Sequence, residues 1–210
     1  GAMERNAARQ QLLGSGPGAA NKARGAADCT NTLTTISSEH TQPTGQVLRI
    51  PVYFHVIYKA DGEGYISEAR ILDQMAVLNE DFAGDNGLSI QNTAIQFDLV
   101  YVNYVQNDSY FEDEGEGGFN KYSLAVDPSQ YMNVYTNDSS GYLGYATLPA
   151  GSAGGQGDGI VMRHEAIGGR NNGYGYYDQG RTLVHEVGHY LGLFHTFDPE
   201  GDCTNTYTGG

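Results

Sequence analysis

Residues 181–195, RTLVHEVGHYLGLFH, combine an apolar helical pattern with three histidines at fixed intervals. His185 and His189 are four positions apart, and such residues lie on the same face of an α-helix, ~6 Å apart along its axis. Both imidazoles can therefore reach one ion without straining the backbone. The apolar residues around them predict a largely buried helix over residues 182–193, with Asp178 as a candidate N-terminal cap.

The third histidine follows a glycine in the pattern H-E-x-x-H-x-x-G-x-x-H. A straight helix would carry His195 around the cylinder and away from the ion. Gly192 can adopt the left-handed conformation that ends a helix and reverses the chain, which would return His195 to the metal. Three neutral nitrogen ligands and one open position are typical of catalytic zinc. The sequence therefore predicts a Zn²⁺ site at His185, His189 and His195.

Glu186 stands beside the first ligand, where it can reach a metal-bound water but is poorly placed to bind the metal itself. Zinc lowers the pKa of its water from ~16 towards ~7. A carboxylate can then take the proton and later pass it to a leaving amine. These residues predict peptide hydrolysis through a zinc-bound water, with Glu186 as general base.

The histidine motif also has a simpler interpretation. H-E-x-x-H alone fits a structural helix with surface histidines, and the glycine with the third histidine argues against that alternative. The other histidines, His40, His55 and His164, are predicted to be surface or strand residues and not ligands.

The rest of the chain predicts an α/β (α+β) domain with a mixed sheet. Residues 47–58 (VLRIPVYFHVIY), 94–103, 131–136 and 159–164 are predicted strands. Ser67 can cap a helix that ends near Gly84, with an apolar stripe at Ile71, Leu72, Met75, Leu78 and Phe82. We divide the chain into a cloning remnant (1–3), a pro-segment or extended tail (4–45) and a catalytic domain (46–210).

Composition excludes several classes of partner. The chain has 25 acidic and 11 basic residues, a formal charge of −14, which disfavours nucleic acid and anionic membranes and favours cationic peptides. No run approaches the ~18 apolar residues that a membrane span needs. The 16 tyrosines and 30 glycines, with scarce lysine and no tryptophan, favour a secreted, extracellular protein.

The long zinc motif is typical of the metzincins, and its surroundings resemble the pappalysin family, in particular its secreted ulilysin-like and mirolysin-like members. The resemblance spans residues 47–210 and is carried by 142–146 (YLGYA), 148–149 (LP), 158–162 (DGIVM), 180–197 (GRTLVHEVGHYLGLFHTF) and Cys203. It implies a secreted zinc metalloendopeptidase. It also implies a metzincin upper subdomain, in which a twisted, mostly parallel sheet lies over a backing helix and an active-site helix. The lowest strand, expected at 159–167, would run antiparallel along the cleft and pair with substrate.

The same resemblance implies a second metal and a second subdomain. Pappalysins bind calcium just beyond the third histidine, where Asp198, Glu200, Asp202 and Thr204 offer oxygen ligands. A solvated acidic turn is the alternative. The family continues into a lower subdomain with a Met-turn, yet no methionine follows Met162, so the chain is expected to stop short of that part.

The two cysteines suggest a latent form of the enzyme. Cys203 matches a family cysteine whose partner lies in the lower subdomain, and Cys29 lies in the unpatterned N-terminal stretch. Some relatives block zinc with a pro-segment thiolate, so we interpret residues 4–45 as an inhibitory pro-segment with Cys29 as the blocking ligand. There are three alternatives: Asp28 is the blocking group, Cys29 and Cys203 form a disulfide, or the Cys29 thiol has no role.

Two other functions fit parts of the sequence. The first is a non-catalytic, calcium-stabilised binding module that keeps the metzincin fold and recognises a basic partner. The second is a structural zinc domain, although three histidines with an open position are unlike closed structural sites. The presence of Glu186 favours the enzyme, because a protease that has lost its activity has no use for a carboxylate at that position. The enzyme would act on peptides or proteins.

Overall fold

The computed structural model describes residues 45–85, 87, 92–112, 123–149, 153–193 and 195. The strands in this part of the chain are β1 (Leu48–Tyr58), β2 (Ile95–Gln106), β3 (Met132–Asn137), β4 (Gly144–Ala146) and β5 (Ile160–Arg163). The α-helices are α1 (Glu68–Ala83), the short α2 (Asp108–Phe111) and α3 (Arg181–Tyr190). Short 3₁₀ turns occupy Ser139–Gly141, His164–Ala166 and Gly175–Tyr177. The predicted strands and both long helices are confirmed, with ends shifted by a few residues.

The strands form one sheet in the order β2-β1-β3-β5-β4. The first three pairings are parallel, and β4 runs antiparallel to β5 at the sheet's end. The expectation of an antiparallel lowest strand at 159–167 is therefore wrong, because residues 160–163 lie parallel to β3 inside the sheet. The antiparallel edge strand is Gly144–Ala146.

Helix α1 lies behind the sheet as the backing helix. The Ser67 side chain accepts a hydrogen bond from the Arg70 backbone N–H, and Gly84 ends the helix with a φ of 76°, as predicted. Ile71, Met75 and Leu78 of α1 are buried with residues of β1 and α3. The predicted stripe is wrong at one position: Leu72 is 52% exposed, while Gln74 is completely buried.

A second core lies on the opposite face of the sheet, where Ile57, Phe111, Tyr135 and Val161 are buried together. His55 also lies on this face and stacks on Tyr135, with 4.6 Å between ring centroids. Its Nε2 donates to Asn133 Oδ1 at 3.0 Å, and its Nδ1 accepts from Asn103 Nδ2 at 3.3 Å. This arrangement suits a neutral imidazole, and burial lowers the pKa of His55 to about 4.

Acid is expected to destabilise the fold through His55. The unfolded chain takes up a proton below an ordinary histidine pKa of about 6.5, whereas the folded chain resists it down to about 4. The resulting loss in the free energy of unfolding is absent above pH 6.5 and grows as the pH falls, reaching about 2 kcal/mol at pH 5. Urea unfolding of the wild type and His55→Gln at pH 7.5 and 5.0 measures it, because the variant lacks this titration. Equal losses of stability in both proteins would contradict the assignment.

In the described part of the chain, no helix combines the length and apolar character needed to cross a bilayer.

Candidate metal centre

Helix α3 carries the first two histidines of the motif. Leu183, Val187 and Tyr190 bury one face of the helix in the core shared with α1 and β1. The helix begins after Gly180, which has a φ of 68°, and no side chain caps its N-terminus. The predicted cap at Asp178 is therefore wrong; its backbone carbonyl accepts from Asn172 N–H, and its carboxylate accepts from Gln179.

The chain reverses directly after α3, as the glycine predicted. The Gly192 N–H donates to the His189 carbonyl at 2.8 Å, and the Leu193 N–H donates to the Gly188 carbonyl at 2.9 Å. Gly192 has a φ of 102°, a conformation that residues with a side chain rarely adopt. The helix ends at Tyr190 and not at residue 193 because this turn uses the last helical carbonyls.

The reversal brings the three histidines together. His185 Nε2 lies 3.0 Å from His189 Nε2 and 3.1 Å from His195 Nε2, and the last two atoms are 3.0 Å apart. Nitrogens that share a tetrahedral zinc at ordinary bond lengths would be separated by about 3.3 Å. The spacing of these donors therefore fits a small tetrahedral cation held by three imidazoles.

The protonation of the rings also suits metal binding. His189 Nδ1 lies 2.7 Å from the Leu193 carbonyl oxygen, which can only accept, so Nδ1 carries the proton and Nε2 presents a lone pair to the cluster. Burial lowers the pKa of His185, and the neighbouring His189 and His195 lower it further. Both effects favour the neutral imidazole that a metal requires.

Glu186 lies on the inner side of α3, close to strand β4. Its side chain is 6% exposed, and burial raises the pKa of its carboxyl group, an effect that His189 partly opposes. A Cβ added to Gly144 would lie 3.0 Å from Glu186 Cγ, so the edge strand passes directly against this side chain. No feature of the sequence other than the family resemblance predicts a role for Gly144, since its contact with Glu186 depends on how β4 packs.

The described residues contain one cluster of metal-ligating side chains, formed by His185, His189 and His195. His55 and His164 lie outside it, consistent with their prediction as non-ligands. Cys29, Asp28 and Cys203 lie outside the described residues, as do the candidate calcium ligands Asp198, Glu200, Asp202 and Thr204.

Residues 120–209 match a protein-family model described as pregnancy-associated plasma protein-A. This match includes β3, the edge strand and the whole histidine cluster. Among curated proteins, an extracellular metalloprotease of Colletotrichum graminicola is 35% identical over 166 residues, which cover 76% of this chain and 55% of the relative. The chain thus spans about half the length of the curated relatives it matches.

Solved structures of mirolysin share the fold. Mirolysin in complex with a compound superposes with a TM-score of 0.62 at 28% identity, covering 76% of this chain and 68% of that one. Mature mirolysin of Tannerella forsythia in complex with a cleaved peptide gives a TM-score of 0.60 at 26% identity, with the same coverage of both chains. The α/β fold with a mostly parallel sheet, expected from the sequence, is confirmed by this similarity.

Proposed function

We propose that this chain belongs to the pappalysin family of metzincin peptidases and that it carries the zinc-binding and catalytic part of a secreted metalloendopeptidase. The observation that supports this most is the convergence of three imidazole Nε2 atoms beside a buried carboxylate and an edge strand. The curated relatives named extracellular metalloproteases support both the activity and secretion. Residues 46–210 are, in this proposal, the upper subdomain of the catalytic domain.

His185, His189 and His195 would hold the metal through their Nε2 atoms. When bound, zinc supplies a Lewis acid that acidifies water and polarises a peptide carbonyl. Glu186 then accepts the proton of the attacking water on its carboxylate and delivers it to the leaving amine. The burial that raises the pKa of this carboxyl brings it closer to working pH, where a group that both takes and gives a proton is most effective.

Strand β4 is the proposed binding edge for the substrate backbone. It is the last strand of the described sheet and lies directly against Glu186. An extended peptide that adds to this edge would therefore run past the carboxylate and the histidine cluster. The formal charge of −14 favours peptides with basic residues.

Removal of the metal is expected to abolish hydrolysis reversibly. The full-length protein, freed of zinc with 1,10-phenanthroline, should lose hydrolysis of a denatured protein substrate and regain it with one equivalent of Zn²⁺, because no side chain replaces the Lewis acid. Peptide release over time measures the activity, and metal analysis gives the stoichiometry. Absence of hydrolysis in the metal-loaded, fully processed protein would favour the binding module. Hydrolysis that resists complete metal removal would also overturn the proposal.

A further inference from the structure

Gln74 forms a polar bridge between the backing helix and the start of the active-site helix. Its side chain is completely buried beside the apolar core residues that α1 and α3 share. Its Nε2 donates to the Gly180 carbonyl at 2.8 Å, and its Oε1 accepts from the Gly168 N–H at 3.1 Å. The amide therefore joins two backbone segments that come together immediately before α3.

The two glycines that Gln74 joins are packed tightly against each other. A Cβ added to Gly180 would lie 2.4 Å from the Gly168 carbonyl oxygen, a clash with backbone that has little room to move. Gly180 also has a φ of 68° and provides no side-chain cap for α3. The start of the helix is thus fixed from outside by Gln74 and by this backbone contact.

Asp81 supports the same region two helical turns further along α1. Its carboxylate is 6% exposed and lies 3.1 Å from Arg181 Nε, in the first turn of α3. Arg170, from the segment before α3, approaches the other carboxylate oxygen at 3.7 Å. Residues 74 and 81 are seven apart and share one face of α1, so the first turn of α3 is held at two points.

We propose that Gln74, assisted by Asp81, is a positioning residue that sets the placement of α3 and hence of His185 and Glu186. His185 lies one helical turn after Arg181 and Glu186 follows it, so movement of the first turn is transmitted to both. His195 follows the Gly192 turn beyond the other end of α3. Loss of the Gln74 bridge would therefore misalign the first ligand with the third. This inference rests on the proposed zinc site.

Asn79 provides a matched control on the same helix. Its Nδ2 donates to the Phe97 carbonyl at 3.0 Å, and its Oδ1 accepts from the Phe97 N–H at 2.8 Å. This amide also makes two backbone hydrogen bonds, but it joins α1 to β2 and not to α3. Asn79→Leu therefore removes a comparable bridge without touching the active-site helix.

The test compares Gln74→Met, Gln74→Glu and Asn79→Leu with the wild type. Methionine keeps the length of glutamine but makes neither bond, whereas a buried, protonated glutamate can make both. The zinc dissociation constant is measured by chelator competition, and amide hydrogen exchange over residues 181–190 is measured in the metal-free protein. In the full-length protein, kcat and KM are measured with zinc saturating.

Gln74→Met should weaken zinc binding about tenfold, as the loss of a supporting contact around a metal site does. It should also speed exchange in α3 tenfold or more, since two buried bonds are lost, and lower kcat more than it raises KM. Gln74→Glu should restore all three quantities towards the wild type. Asn79→Leu should lower the melting temperature but leave zinc affinity and α3 exchange unchanged.

Arg181→Met is the second variant, and it decides the question if Gln74→Met does not fold. The Arg181 side chain is 41% exposed, and Asp81 keeps its contact with Arg170, so this variant should fold. It should show the same changes in zinc affinity, α3 exchange and kcat as Gln74→Met, but smaller ones. The inference is overturned if the folded variants keep wild-type zinc affinity and exchange, or if Asn79→Leu changes them equally. A wild type that takes up no zinc would instead overturn the proposed function, while the exchange measurement would still test the bridge.

Discussion

Glu186→Gln in the full-length protein is expected to lower kcat by about 10²- to 10⁴-fold, the range that general acid–base catalysis contributes. The amide has nearly the shape of the carboxylate and should occupy the same buried place against Gly144. It cannot accept a proton from water, however, so the attacking water is not activated. Zinc uptake should be unchanged, because the three imidazoles and not Glu186 converge on the proposed metal position. Steady-state kinetics and metal analysis of the same preparation check both parts.

Glu63→Gln is a suitable control for this substitution. Glu63 is half-exposed, pairs with Lys59 and lies outside the histidine cluster, so the same chemical change there should leave kcat unaltered. If Glu186→Gln with a full complement of zinc retained more than a tenth of the wild-type kcat, the proton acceptor would have to be another group.

The histidine cluster could be predicted from the sequence because its geometry is local. The spacing of His185 and His189 is fixed by the helical repeat, and the return of His195 is fixed by one glycine conformation. The observed φ of 102° at Gly192 and the separations of 3.0–3.1 Å between Nε2 atoms follow from those two constraints. The capped backing helix could be predicted for the same reason, since Ser67 and Gly84 act within one turn of its ends.

The features that could not be predicted depend on contacts between distant parts of the chain. Strand β4 has three residues, and its direction is set by its pairing with β5 and not by its own pattern. Gln74 interrupts the apolar face of α1. Its burial is explained by its hydrogen bonds with the Gly180 carbonyl, 106 positions away, and with the Gly168 N–H, 94 positions away.

Among the three proposed zinc ligands, His195 is the one whose loss should be most informative, because it alone depends on the Gly192 turn. His195→Ala is expected to weaken zinc binding by more than about 100-fold, since even loss of a residue that merely orients a ligand costs 10- to 100-fold. Hydrolysis should be lost at zinc concentrations that saturate the wild type. Chelator competition measures the zinc affinity of the variant, and peptide release measures its activity.

His164→Ala provides the matched control for that experiment. His164 is half-buried, lies beside Phe111 and the Asn137 carbonyl, and is absent from the metal cluster. Its loss should cost some stability but no zinc affinity. If instead His195→Ala bound zinc as tightly as the wild type, two histidines on one helix would suffice for the metal. The glycine turn would then have no role in binding, and the extended motif would lose its chemical meaning in this chain.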